Sequence, residues 1–172
     1  MNPLTDILRL APVTRVRRNH ALEHATLQVL AARKYNTPLA GYSDNQGFWV
    51  IGDVPTEDLQ TAANDAATRL RAGESQLAIH PHCGTNYVTS GLAAGSVAWL
   101  TMATAGSSLQ KKLERFPFMI ALVTLALIVT QPLGLLLQSR VTTDANIGEM
   151  QIAEIVRYQR QGKPLHRVLT KG

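Results

Sequence analysis

Two histidines and a glutamate near the start of the chain have the types and spacing of a metal-binding helix. His20 and His24 lie in a run without Gly or Pro from Val13 to Tyr35, so we expect a helix there. Residues three and four apart share a helix face, which brings the two imidazoles together with Glu23 beside them. Such a pair can chelate a divalent metal ion, and the carboxylate can take a proton from a metal-bound water. The alternative is a solvated helix face.

A second segment carries metal-capable side chains, in the order His80, Pro81, His82, Cys83, Gly84. A thiolate and an imidazole three residues apart in a turn suit one common metal ion. The alternative is a buried cysteine at a helix entrance, with histidines that bind backbone carbonyls. Four of the five histidines and the one cysteine fall in these two segments, which favours a shared site. The predicted ligands are His20, His24, His80 and Cys83.

Mixed imidazole and thiolate ligands favour zinc over iron or copper. If all four ligands bind, the site is closed and structural, like the zinc of zinc fingers. If three bind, a water with a pKa of about 7 takes the fourth position, and Glu23 becomes its general base. The sequence therefore predicts either a zinc-dependent hydrolase or peptidase with Glu23 as its catalytic residue, or a non-catalytic protein with structural zinc. Asp44, Asp53 and Glu74 are predicted to lie in turns and do not stand out as further ligands.

Two long uncharged runs indicate membrane-spanning segments. They cover 83–110 and 116–139, and a basic loop at 111–115 separates them. The second run is long enough to cross a bilayer core of about 30 Å. The first contains Gly91 and Gly95, a spacing that lets a neighbouring helix approach closely. We therefore predict a two-helix transmembrane hairpin; two buried core helices of a soluble protein are the alternative.

The charge pattern bears on partners and orientation. A formal net charge of +5, spread along the chain, suits contact with anionic lipid head groups, and we expect a lipid bilayer as partner. No basic stripe or known motif indicates nucleic acid. The three Lys and Arg residues of the loop at 111–115 favour a cytoplasmic loop by the positive-inside rule. Against that, Asp6 and Arg9 interrupt the first apolar segment, so no signal peptide is predicted and the soluble part is placed in the cytoplasm. The face of Gly91 and Gly95 could also join two copies of the chain in a homo-oligomer. The membrane segments lack ionisable residues, which disfavours a metal transport accessory.

The predicted fold class is α+β, with a small α-β-β-α-β soluble domain. An amphipathic helix covers residues 1–12, and the metal-candidate helix follows. The other predicted elements are strands Leu39–Ser43 and Phe48–Ile51, a helix Thr56–Arg71 with Thr56 as its cap, and a strand Gln76–His80.

After the hairpin we predict a C-terminal amphipathic helix, capped near Thr142 and with Ile152, Ile155 and Val156 on one face. A strand over Gln151–Tyr158 is its competitor, and the tail Leu165–Leu169 is predicted as an edge strand. The predicted domains are a soluble domain over 1–86, a transmembrane hairpin over 87–139, and a C-terminal part over 140–172 that returns to the soluble domain.

The two motifs together resemble those of bacterial membrane proteins of unknown function, the YqhQ-like proteins and a smaller cyanobacterial-type domain-of-unknown-function family. The matching residues are His20, Glu23, His24, His80, Pro81, Cys83, Gly84 and Thr85. A looser similarity covers Leu137, Gln138, Thr142 and Thr143. The resemblance implies a bacterial inner-membrane protein and a metal-dependent enzyme. It also makes His82 the weakest ligand candidate, because a basic residue is usual there in the YqhQ-like proteins. This chain has fewer predicted membrane helices than that group.

Overall fold

The structure is a computed structural model that describes residues 3–33 and 38–172. It divides into two compact units. The first comprises Met1–His80 together with Gln138–Gly172, and the second is Pro81–Leu137. The chain therefore leaves the first unit after His80 and returns to it at Gln138.

The first unit combines helices with one antiparallel sheet, as the α+β prediction requires. Its helices are α1 (Pro3–Leu8), α2 (Ala11–Ala32) and α3 (Thr56–Arg71). Its strands are β1 (Ala40–Asp44), β2 (Gly47–Ile51), β3 (Gln151–Arg160) and β4 (Lys163–Lys171). A 3₁₀ turn covers Ser75–Ala78, and a π turn covers Gln138–Thr142. The second unit holds α4 (Gly84–Ala103) and α5 (Leu109–Leu137).

The four strands run in the order β1-β2-β4-β3, and each neighbouring pair is antiparallel. Phe48 and Val50 of β2 and Val168 of β4 are fully buried in one core with α2 and α3. Alternation along a strand sends every second side chain to the same face. One face of the sheet therefore packs against the helices, and this packing fixes the position of α2.

The first hairpin confirms the two predicted short strands. The loop between them is Asn45–Gln46, and the backbone N–H of Gln46 donates to the Asp44 carboxylate at 2.8 Å. Gly47 has φ +150°, and a Cβ there would overlap the carbonyl of Val168 on the neighbouring strand. Only glycine fits this close approach between β2 and β4.

The C-terminal amphipathic helix was a wrong prediction, and its strand competitor is correct. A register shift between Ile152 and Glu154 inserts a bulge into β3. The bulge interrupts the two-residue alternation, so Ile152 and Ile155 both pack against the core although they are three residues apart. A three-residue spacing of apolar side chains is what a helix produces, which explains the error.

The two other strand predictions were also corrected. The tail does form a strand, but β4 lies between β2 and β3 at the centre of the sheet and not at an edge. The predicted strand Gln76–His80 is instead the 3₁₀ turn followed by extended chain. The Gln28 side chain of α2 donates to the carbonyls of Leu77 and Ile79, at 2.8 and 3.0 Å. These bonds take the place of a partner strand.

The helix starts differ from the predictions in two places. The N-terminal helix ends at Leu8, and α2 begins at Ala11, where Pro12 suits a first turn. The cap of α3 is Pro55, and Thr56 is its first helical residue. The Thr56 hydroxyl contacts Nε2 of His166 at 3.1 Å, so it is used in the core and not as a cap.

The second unit has one helix that could cross a membrane, in contrast to the predicted pair. Among the described residues, Leu109–Thr142 is long and apolar enough, and almost none of that stretch is buried. The glycine, serine, threonine and asparagine residues of α4 make it less apolar. The two helices pack against each other where Gly134 meets Asn86, with a Cβ at Gly134 only 3.0 Å from the Cα of Asn86. Gly91 and Gly95 have no atom within 4 Å of such a Cβ.

Candidate metal centre

The helix α2 brings His20 and His24 together, as their spacing predicted. Their ring centroids are 4.2 Å apart, and a ligand nitrogen of one ring lies within 4.8 Å of one in the other. His24 is only 2% exposed, because this part of α2 is covered by the sheet and the 3₁₀ turn. The pair is therefore held in the first unit by packing on both sides.

Backbone carbonyls determine which nitrogen of each histidine ring carries the proton. Nδ1 of His20 lies 2.9 Å from the carbonyl oxygen of Thr142, and Nδ1 of His24 lies 2.8 Å from that of Ala78. A carbonyl oxygen only accepts, so Nδ1 carries the proton in each ring. In the neutral ring the lone pair is then on Nε2, which is the form of histidine that coordinates metals.

His80 of the second sequence segment lies beside this pair. Its ring centroid is 5.5 Å from that of His24. The Gln138 side chain holds its backbone: the amide nitrogen of His80 donates to Oε1 at 2.8 Å, and its carbonyl accepts from Nε2 at 3.0 Å. The structure thus brings three of the predicted ligands, His20, His24 and His80, together in the first unit.

Cys83 belongs to the second unit, where it is the residue that precedes α4. Its carbonyl accepts from the Asn86 amide at 3.0 Å, and its thiol lies 3.5 Å from the Thr85 hydroxyl. It follows His80 by three positions in the chain, a stretch that spans at most about 11 Å. The side chains of His20, His24 and Cys83 are of the kinds that could hold a metal ion. His82 is exposed, and nothing in its position adds to its weak standing as a ligand.

Glu23, the predicted general base, is held by strand β1. The Ser43 hydroxyl donates a short hydrogen bond to its carboxylate, and the side chain is only 4% exposed. A Cβ at Gly41 would overlap the Glu23 carboxylate, so the absence of a side chain there makes room for it. The carboxylate is therefore buried and pinned between α2 and β1.

The three acidic residues that the sequence analysis named as further possible ligands each form an ion pair with an arginine. Asp44 accepts from Arg167 at 2.7 Å, Glu74 pairs with Arg69 at 2.6 Å, and Asp53 pairs with Arg157 at 3.4 Å. Burial alone would raise the pKa of Asp44, but hydrogen bonds from Arg167 and from the amides of Gln46 and Gly47 lower it overall. These acids have structural partners in the first unit.

Sequence reasoning missed the residues that support the histidines and the glutamate. Gly41 could have been found, because a glycine inside a predicted strand indicates close approach of another group. Ser43 gave no local signal, and Gln138 and Thr142 stood out only in the looser similarity to the YqhQ-like proteins. They reach the site from other elements, and only the tertiary fold shows that they do.

Comparisons with curated proteins and with protein families each gave a match. The chain is 46% identical over 99 residues to an uncharacterized protein of Picosynechococcus, a match that covers 49% of this chain and 48% of that protein. The aligned part thus spans about half the length of this curated relative. No solved structure gives a significant match. The family model for DUF6391, a domain of unknown function, matches residues 15–155. The chain therefore belongs to the DUF6391 family.

Proposed function

We propose that this protein is a membrane-anchored metal-binding protein in which His20, His24 and Cys83 bind one divalent ion. The observation that carries the proposal is the pair of carbonyl contacts at Nδ1 of both histidines. Metal-bound histidines commonly donate their other nitrogen to a carbonyl or carboxylate, which fixes the tautomer and the ring direction. Two rings one turn apart with this arrangement are prepared to bind one ion through Nε2.

Zinc is the proposed ion, because mixed imidazole and thiolate ligands suit it. His80 is the proposed fourth ligand, since its ring lies next to that of His24 and its backbone is fixed by Gln138. Four ligands of this kind close the coordination sphere. The proposed role of the ion is then structural.

A zinc-dependent hydrolase is the second candidate, and Glu23 is the residue that favours it. If His80 does not bind, a water occupies the fourth position, and a carboxylate on the same helix could act as its base. The hydrogen bond from Ser43 and the burial of Glu23 argue for the structural role, because a general base must reach water and substrate. The substrate class of this alternative is a peptide, an amide or an ester.

The membrane location rests on α5. Its apolar length suits a bilayer core. The basic residues Lys111, Lys112 and Arg115 lie in its first two turns and favour a cytoplasmic position for that end of the helix. Against this, no signal peptide is predicted, which favours a cytoplasmic position for the first unit. We propose a bacterial inner membrane with the first unit on the cytoplasmic side. The likeness to YqhQ-like proteins, with its implied metal-dependent activity, is part of this proposal. So is a homo-oligomer through Gly91 and Gly95, where the described residues leave open space.

Metal analysis of the purified full chain tests the binding site. We expect one zinc per chain, lost in His24→Ala and in Cys83→Ser. His82→Ala is the matched control, since this exposed histidine is expected to leave the stoichiometry unchanged. Equal metal content in all four proteins would contradict the proposal.

Glu23→Gln separates the two roles. A structural site predicts that the variant keeps its zinc and that chelation lowers the melting temperature of both proteins equally. A hydrolase predicts that the wild type hydrolyses a chromogenic ester in a zinc-dependent reaction. Glu23→Gln would then retain its zinc and lose this activity. Hydrolysis by the wild type that requires both zinc and Glu23 would replace the structural role with the catalytic one.

A further inference from the structure

The π turn at the end of α5 contacts both histidine segments of the first unit. Gln138, its first residue, makes two hydrogen bonds to the backbone of His80. Thr142, its last residue, offers the carbonyl that holds Nδ1 of His20. π turns are rare in proteins, and those that occur are often found at functional sites. Residues 138–142 thus contact both His80 and His20, which are 60 residues apart in the sequence.

Gln138 is fully buried, and its side-chain amide bonds to both backbone groups of His80. Its amide both accepts from the His80 N–H and donates to the His80 carbonyl, so both backbone groups of that residue are satisfied. A buried amide costs free energy unless its hydrogen bonds are made. A glutamine here, in place of an apolar residue, therefore fixes where His80 and the residues after it leave the first unit.

Arg17 locks the π turn onto helix α2. Its guanidinium donates to the carbonyls of Val141 and Thr143, at 2.7 and 2.9 Å. The hydroxyl and the amide of Thr143 both donate to the carbonyl of Gln138, at 2.8 and 2.9 Å. Arg17 lies one turn before His20 on the same helix, so the turn and the histidine are held by one rigid element.

We infer that the π turn is a positioning device that sets the metal affinity of the site. Gln138 acts on the segment that carries His80 and Cys83, and the Thr142 carbonyl acts on His20. Binding and turn geometry are then linked: a change in the geometry of the π turn alters the affinity, and metal binding in return stabilises the turn. This inference rests on the proposed metal site.

Zinc affinity of the full chain in detergent, measured by competition with a chromogenic chelator, tests the inference. Gln138→Leu removes both hydrogen bonds, and we expect affinity to fall by about 10- to 100-fold, as for other groups that orient metal ligands. Gln131→Leu is the matched control: the same change on an exposed position of the same helix should leave the affinity within about twofold of the wild type.

Hydrogen exchange of the wild type gives a readout that does not depend on a variant that folds. Zinc is expected to slow exchange at the amides of His80 and Thr143, both of which bond to Gln138, and not in His24→Ala. Cobalt can also replace zinc, and its ligand-field spectrum should change in Gln138→Leu and not in Gln131→Leu. A Gln138→Leu affinity equal to that of the wild type, or exchange unaffected by zinc, would overturn the inference while leaving the metal site intact. A wild type that binds no zinc would refute both.

Discussion

At the scale of single residues, the chemistry of this site depends on groups that are not ligands. The carbonyls of Thr142 and Ala78 decide which nitrogen of each histidine can meet a metal ion. Gly41 and Ser43 decide where the carboxylate of Glu23 lies. Two residue-scale predictions follow from the buried polar groups that the fold keeps in place.

Gly41→Ala should destabilise the protein, because the new methyl group would overlap the Glu23 carboxylate. Overpacking of this kind typically costs about 1–3 kcal/mol. The free energy of unfolding in denaturant measures it. Gly91→Ala is the control, since a Cβ there meets no atom and alanine favours a helix. Equal stability of Gly41→Ala and the wild type would show that Glu23 can move aside without cost.

His166 makes the first unit sensitive to acid. It is fully buried, and its pKa is lowered by burial and by the charge of Arg157, against a smaller opposing effect of Asp53. Its Nδ1 has no hydrogen-bond partner among the described residues. A lowered pKa means that the unfolded chain takes up the proton first. The stabilisation is complete above the unfolded value of about 6.5 and is lost as the pH falls toward the folded value.

Urea unfolding between pH 7.5 and 5.5 tests this effect, with a slope of at most about 1.4 kcal/mol per pH unit for one proton. His166→Gln should reduce the slope, whereas the exposed His82→Gln should not. A slope that is the same in His166→Gln as in the wild type would assign the acid sensitivity to other histidines.

At the scale of elements, local patterns predicted the parts that local forces decide. The metal-candidate helix, the first hairpin and α3 were correct, because helix spacing, a turn of Asp, Asn, Gln and Gly, and an alanine-rich run each specify one structure. The convergence of His20, His24 and His80 also followed from the motifs. The central position of β4 and the π turn did not, since they arise from pairing between distant segments.

The β3–β4 hairpin gives a prediction at this scale. Its two loop residues, Gln161 and Gly162, both have positive φ, at +50° and +74°. Turns that need positive φ at both positions favour Asn-Gly. Gln161→Asn should therefore raise the free energy of unfolding by roughly 0.5–1 kcal/mol, because asparagine adopts this backbone more readily. Gly162→Ala is the opposing control and should lower it by about 1–2 kcal/mol. Opposite signs would contradict the turn geometry.

At the scale of the whole molecule, the chain has two units of different character. One has a buried core under a sheet, and the other exposes long apolar side chains such as Leu125 and Ile128 on α5. Because almost none of that stretch is buried, its apolar surface suits lipid and not a protein core. The first unit and the membrane-candidate helix α5 are thus distinct in composition and in packing.

Leu125→Arg near the middle of α5 should impair membrane insertion. A charged residue at the centre of a spanning helix costs about 2.5–3.5 kcal/mol on insertion scales. A glycosylation-mapping assay of α5 in a reporter protein measures insertion. Gln110→Arg, near the start of the helix, is the control and should insert as the wild type does. Equal insertion of the two variants would argue against α5 as a spanning helix.

The central place of β4 has a consequence for biosynthesis. Strand β2 and helix α2 leave the ribosome long before residues 163–171, yet β2 needs that last strand as its inner neighbour. The apolar helix α5 is translated in between, so it leaves the ribosome while the sheet is still incomplete. A nascent chain arrested before residue 163 should expose Phe48 and Val50 and bind chaperones, whereas one released after residue 171 can complete its sheet.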